Sequence, residues 1–427
     1  MGPQPVENGG MRMIYCDQAA TALDRPPQVR AAVLSALEGL GNPGRSIHAP
    51  ALNAARLIYG ARQETAALLA APDPLRVAFT SGATESFHLV LGGLITPADH
   101  VITTVLEHNA VLRPLYQIGC PLSFLDCDEE GVLQAQMLPT LLRPNTRFLV
   151  CTHGSNVLGT VTDPRPFQDF CRRHQLTLIW DVSETLGSRP LSGDMGDFLC
   201  FTGHKALLGP QGTGGIYVHR PRPLRLVKTG GSGSDSFAPH QPLSLPDCFE
   251  AGTPNTPGIA GLRAGIAFLR ERGLPQTAAQ LAALRAQFLA GIRDLPGLRI
   301  YGPQGQDHGQ GQTYGPGQDH GQGQTYGPGQ DHGQGQTYGL GQDQGQAQGQ
   351  APLPIVSLNI RDLPSGELCA RLWADWGIAT RPGSHCAPLV HRRFHTREQG
   401  MLRFSFGLFN TSRDVEIAVD ALTALCR

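Results

Sequence analysis

Between about residue 75 and residue 220, short apolar and β-branched runs alternate with stretches whose apolar positions fall on one helical face. The runs predict strands at Val77–Thr80, Val101–Leu106, Leu122–Asp126, Phe148–Thr152, Thr177–Asp181, Phe198–Phe201 and Gly215–His219. Between them, Ala83–Leu94, Ala110–Ile118 and Pro164–His174 read as helices. Such alternation implies a largely parallel sheet covered on both faces, with ligands bound beyond the carboxyl ends of its strands. Residues just after the strands are therefore the first candidates for chemistry.

From about residue 262 the pattern changes to a long helical region, Leu262–Leu295, broken at Gly273–Pro275. A strand at Leu298–Tyr301 follows, then a strand at Pro354–Asn359, a helix at Gly366–Trp376, a strand at Leu402–Ser405 and a closing helix at Asp414–Leu425. The expected organisation is a large unit over 22–261 and a smaller α+β unit from 1–21 and 262–427, since 427 residues suffice for two cores. Residues 302–350 interrupt the second unit with a Gly/Gln repeat whose twelve-residue element occurs at 315–326 and 327–338. Nothing apolar recurs there, so disorder is expected. His308, His320 and His332 offer weak metal ligands at most, and a tolerated expansion of a surface loop explains the tract more simply.

Composition narrows the function classes. A net charge of −1 gives no electrostatic case for nucleic acid or an anionic membrane surface. No apolar run reaches the length that spans a bilayer, and the first residues lack a signal-peptide pattern, so a cytoplasmic location is expected, with Met11 or Met13 as alternative starts. Ten scattered cysteines without a Cys-x-x-Cys pair fit reduced thiols rather than disulfides or a zinc cluster, and no metal is expected. Of the 34 basic residues only two are lysines, Lys205 and Lys228. Arginine stays charged, whereas a buried lysine can shed its proton and form an imine, so a lysine kept in such a composition invites a chemical role.

Lys205 follows a strand, in Phe201-Thr202-Gly203-His204-Lys205, and leads into a glycine-rich turn at 208–215. Pyridoxal 5′-phosphate (PLP) asks for a lysine, a carboxylate opposite its ring nitrogen, an anion cup and a flat group over its ring. Asp181, ending Leu178-Ile179-Trp180-Asp181, supplies an anion at a strand end, although a capping aspartate would read the same way. Ser81-Gly82-Ala83-Thr84-Glu85-Ser86 joins a strand to a helix and suits either a phosphate or ordinary capping. His108, in Leu106-Glu107-His108-Asn109, can stack and shuttle protons, or serve structure alone.

With Tyr15–Thr21, Gly41–Arg45, Ser155–Gly159, Phe249–Thr256, Arg381–Cys386 and Arg403–Phe406, these segments resemble, in order, the class V aminotransferase family. Within it they resemble the cysteine desulfurases and selenocysteine lyases with a short loop after the cysteine. The resemblance covers nearly the whole chain outside 302–350. It implies an α/β protein of the PLP-dependent transferase fold type I, with a seven-stranded, mainly parallel sheet and a smaller α+β C-terminal domain. Lys205 would carry PLP as a Schiff base, Asp181 would face the ring nitrogen, and His108 would stack on the ring and act as acid and base. Ala83, Thr84, Thr202 and His204 would hold the phosphate, joined by Thr253 from the second subunit of a homodimer. Asn156, Arg403 and Arg381 would bind the α-carboxylate of L-cysteine or selenocysteine. Cys386 would take sulfur and leave alanine, its thiolate favoured by His385 and Arg381. A separate sulfur-acceptor protein, serving iron–sulfur assembly or another sulfur-transfer pathway, is implied.

Asp181-Val182-Ser183-Glu184 departs from the family's Asp-x-x-Gln or Asp-x-x-His. The usual residue hydrogen-bonds the phenolic oxygen of PLP, which an ionised Glu184 would repel unless one of them keeps a proton. Glu184 is thus expected to alter the cofactor's proton balance. Rival readings are a selenocysteine lyase or other β-eliminating or aminotransferase relative, and a weakly catalytic PLP-binding scaffold.

Overall fold

The computed structural model describes residues 7–8, 11–44, 46–233, 236–305 and 351–427. Most of the Gly/Gln repeat, with His308, His320 and His332, lies outside the described residues, as does Arg45. Seven strands form the large sheet: β1 (Val77–Thr80), β2 (His100–Thr104), β3 (Leu122–Leu125), β4 (Thr146–Thr152), β5 (Thr177–Asp181), β6 (Phe198–Thr202) and β7 (Gly214–Val218). Their spatial order is β1-β7-β6-β5-β4-β2-β3. All neighbours run parallel except β7, which is antiparallel to both β1 and β6. The fold is the expected α/β type.

Both faces of this sheet are dry, which is why its strands read as continuous apolar runs. Leu178, Trp180, Leu199 and Phe201 enter one core, shared with Ile58 of α2 (Ala49–Leu68), Phe167 of α5 (Pro164–His174) and Leu262 of α6 (Thr256–Arg272). Ile179, Phe198 and Cys200, one residue out of step, enter the opposite core with Phe87 of α3 (Ala83–Leu94) and Val111 of α4 (Asn109–Ile118). Helix α1 (Pro27–Gly39) packs on α6.

The first difference from the sequence expectation bears on the site. Strand β2 ends at Thr104 rather than Leu106, because the Thr104 hydroxyl bonds to the Glu107 carboxylate (2.6 Å) and accepts from the Leu106 N–H (3.2 Å). These bonds turn the chain toward His108.

A second, three-stranded antiparallel sheet joins β8 (Leu298–Tyr301), β9 (Ile355–Ile360) and β10 (Leu402–Ser405). It packs with α7 (Leu274–Ile292), α8 (Ser365–Trp376) and α9 (Ser412–Cys426) in a core of its own, including Phe288, Leu358, Leu372, Phe404 and Leu422. Gly273, at φ +88°, and Pro275 break α6 from α7, as the sequence predicts. The two-residue strand Ile14–Tyr15 pairs in parallel with Ile378–Ala379, and the Ser405 N–H donates to the Cys16 carbonyl (2.8 Å). Residues near the start of the chain are thereby laid beside β10. No helix among the described residues is long and apolar enough to cross a membrane.

Candidate active site

Loops leaving β1, β2, β4, β5 and β6 surround a cavity of about 450 Å³, which residues 381–403 complete. It is lined by Ala83, Thr84, His108, Asn156, Asp181, Glu184, Thr202, His204, Lys205, Arg381, Cys386 and Arg403. Every residue to which the resemblance gives a role is here except Thr253, and Lys228 is absent as well. Thr253 lines a neighbouring cavity of about 650 Å³, which shares Ser81, Glu85 and Gly212 with the first.

Lys205 leaves β6 through Gly203, whose N–H donates to the Thr213 carbonyl and whose carbonyl accepts from Gly209, both at 2.8 Å. A side chain at Gly203 would run into the Thr213 hydroxyl, so the turn needs glycine. Lys205 Nζ lies 2.5 Å from Glu184 Oε1. A tight turn after β5, closed by Thr185 and Leu186 N–H groups on the Val182 carbonyl, sets Glu184 three residues beyond Asp181.

Asp181 is buried and accepts from the Ser183 N–H at 2.9 Å. Burial raises its pKa, while Ser183 and the Lys205 charge oppose the rise. Behind it, Glu107 is fully buried and accepts from Thr104 Oγ1 (2.6 Å) and the Thr152 N–H (2.9 Å) through Oε1. Burial pushes this carboxyl up to about 8, those two bonds pull against it, and the Asp181 charge adds to the rise.

His108 is the N-cap of α4, and its Nδ1 accepts from the Ala110 N–H at 3.0 Å. That bond leaves Nε2 as the protonated nitrogen of the neutral ring. Burial, then the Lys205 charge, lower its pKa to about 4. His204 is lowered to about 4 for the same two reasons, and its Nδ1 has no partner among the described residues. Among the described residues no side chain caps the start of α3 at Gly82, so N–H groups of its first turn remain for an anion.

On the other wall, Arg403 is almost wholly buried. Its Nη1 donates to the Asn156 carbonyl and its Nη2 to Asp17 Oδ1, both at 2.8 Å, while Nε has no partner among the described residues. Arg381 reaches the other Asp17 oxygen at 3.0 Å. The Asn156 side chain donates to the His385 carbonyl (2.8 Å), and the Asn109 N–H donates to the Cys386 carbonyl (2.7 Å). These bonds hold His385 and Cys386 in left-handed conformations, φ +49° and +56°, which non-glycine residues adopt only under constraint. Cys386 is exposed and also faces the cavity; among the ten cysteines, eight are buried and Cys369 is half-buried.

One expectation is corrected. His385 is buried, its Nε2 is paired with the Arg381 carbonyl (3.1 Å), and burial followed by the Arg403 charge lowers its pKa to about 3. It carries no charge at neutral pH and so lends no positive field to the Cys386 thiol. Two residues escape the sequence reading, Asp17 and Glu107. Both stand inside segments the sequence singles out, yet nothing in those segments reveals which distant groups they meet.

The donor set suits a flat cofactor bearing an aldehyde, a ring nitrogen and a phosphate. A lysine, a buried carboxylate, a fixed imidazole, an uncapped helix start and the orphaned His204 Nδ1 converge on one space.

The model of the family described as aminotransferase class-V matches residues 14–313 and 341–417. A probable cysteine desulfurase of Pseudomonas aeruginosa is 32% identical over 97% of this chain and 95% of its own length. A cysteine desulfurase of Klebsiella pneumoniae is 27% identical over 97% of this chain and 94% of its own. Among solved structures, a cysteine desulfurase of Escherichia coli superimposes with a TM-score of 0.76 at 26% identity, covering 96% of this chain and 94% of that one. The apo cysteine desulfurase of Thermococcus onnurineus gives 0.81 at 24% identity over 97% and 94%, a likeness of fold.

Proposed function

This chain belongs to the class-V aminotransferase family, and from that premise we propose that it is a PLP-dependent cysteine desulfurase. The observation that carries the reading is Cys386, a thiol that lines the Lys205 cavity and also reaches solvent. Such a group can collect sulfur inside and hand it on outside. The names of the relatives at 32% and 27% identity support the same activity.

PLP, when bound, supplies an electron sink for the charge left at the substrate's α-carbon. Lys205 would hold it, with Asp181 opposite the ring nitrogen and His108 over the ring. Ala83, Thr84, Thr202 and His204 would take the phosphate. The Arg403 donors left over by Asp17 and Asn156 would bind the α-carboxylate of L-cysteine, with the Asn156 side chain and Arg381 beside them. Lys205 Nζ then moves the proton of the α-carbon, and His108, its tautomer set by the Ala110 bond, relays protons. Cys386 Sγ attacks the substrate sulfur. The new S–S bond forms as the S–Cβ bond breaks, the electron pair stays with Cβ, and a proton there completes the methyl group of alanine. The persulfide on Cys386 passes to a separate acceptor protein. In a homodimer Thr253 of the second copy would complete the phosphate cup.

The test is alanine formation from L-cysteine by the PLP-loaded protein. Cys386→Ala should lower it at least about a hundredfold while leaving PLP bound. Undiminished cysteine turnover in that variant would overturn the persulfide mechanism. Selective loss of sulfide chemistry, with selenide release from selenocysteine retained, would turn the reading toward a lyase.

A further inference from the structure

Glu184 stands where the family pattern carries glutamine or histidine, and here it meets the functional lysine. Its Oε1 lies 2.5 Å from Lys205 Nζ, with 7% and 15% of the two side chains exposed. A glutamine offers no charge and takes up no proton from an ammonium; a carboxylate pairs with an ammonium and can accept its proton. The pair also lines a narrow apolar space of about 60 Å³ behind the main cavity, walled by Leu281, Leu353, Ile355 and Phe406. Away from water, the pairing is stronger than on a surface.

Among the described residues Glu184 is the carboxylate bonded to Lys205 Nζ; Asp181 feels the same charge without a bond to it. His108 and His204 are neutral near neutral pH, as is Glu107 beyond Asp181. Arg403 and Arg381 are occupied by Asp17. Asp181 faces the cavity from the end of β5 and accepts from the Ser183 N–H, and Cys386 lines the same cavity.

Resting on the reading above, we propose that Glu184 is a positioning residue and proton acceptor for Lys205. It holds the amine as an ammonium until Nζ must act, then takes that proton on Oε1, freeing the nitrogen lone pair and leaving both groups uncharged. A glutamine there could not hold the amine back, so this chain captures an aldehyde at neutral pH more slowly than a family member with the usual residue.

The experiment mixes PLP with cofactor-free wild type, Glu184→Gln and Glu184→Asp from about pH 6.5 to about pH 9.5. Capture is followed by absorbance, by borohydride trapping and by the mass of the Lys205 peptide, with melting temperatures as the check on folding. At neutral pH Glu184→Gln should capture PLP about tenfold faster than wild type, with the advantage fading as pH rises. Glu184→Asp, which keeps the charge but shortens the reach, should fall between them. Equal rates for wild type and Glu184→Gln at every pH overturn the proposal. Should Glu184→Gln fail to fold, Glu184→Asp decides, and a wild-type rate at every pH overturns it. Absence of any PLP adduct at Lys205 in wild type sinks the cofactor reading itself, a distinct outcome that takes this inference with it.

Discussion

Glu107 sits one residue before His108 with no exposed surface, and its Oε2 has no partner among the described residues. A carboxyl raised to about 8 keeps its proton in the fold at pH values where the unfolded chain has lost it. Stability from this group is therefore full below the unfolded pKa near 4.5 and drains as pH rises toward 8, at about 1.4 kcal/mol per pH unit. Glu107→Gln removes that drain. Its stability relative to wild type should rise by about 2–4 kcal/mol between about pH 5 and about pH 7.5, read from urea unfolding at both values. An unchanged difference would mean that Glu107 is ionised. At this scale the sequence spoke clearly where chemistry restricts residue type, as at Lys205 and Asp181. It was silent where a role depends on a partner: Asp17 meets groups 364 and 386 positions away.

At the scale of elements, β7 brings glycine against the start of α3. A Cβ at Gly214 would lie 2.5 Å from Gly82 Cα and 2.6 Å from the Phe201 carbonyl, so only glycine lets β1, β6 and β7 close on the anion cup. Gly214→Ala should push Gly82 and the first turn of α3 outward and weaken PLP affinity at least about tenfold by equilibrium titration, with β6 strained beside it. Buried strands such as Thr177–Asp181 and capped helices such as Pro164–His174 were readable in the sequence to the residue. Helices α1 and α2 do not stand out there. Of the buried positions of α2, 51, 54, 61 and 66 are alanine, and others are Gly60, Arg62 and Thr65, residues that mark a packed face only weakly against a polar pattern.

For the whole molecule, the buried histidines set the response to acid. His108 and His204 are lowered to about 4, and His153 and His385 to about 3, burial being the first cause in each. The unfolded chain takes up these protons below about pH 6.5 while the fold refuses them, so stability falls as pH drops through that range. Glu107 works in the opposite sense, as do Asp181 and Asp247 from a lower starting pKa, but these carboxyls do not offset four imidazoles over this range. The melting temperature should drop by several degrees or more from about pH 7 to about pH 5, a change calorimetry would register. A flat profile would mean that these rings are protonated in the fold.

The Asp17 bridge to Arg403 and Arg381 also has a consequence in time. A ribosome would deliver its carboxylate 386 residues before Arg403. The carboxylate-binding wall and the loop of Cys386 therefore cannot exist on a nascent chain, however much of the large sheet has already formed. A prematurely terminated product would display Lys205 without the groups that select its substrate, and the reactive thiol would be missing from it altogether. Synthesis must run past Arg403 before there is anything for it to do.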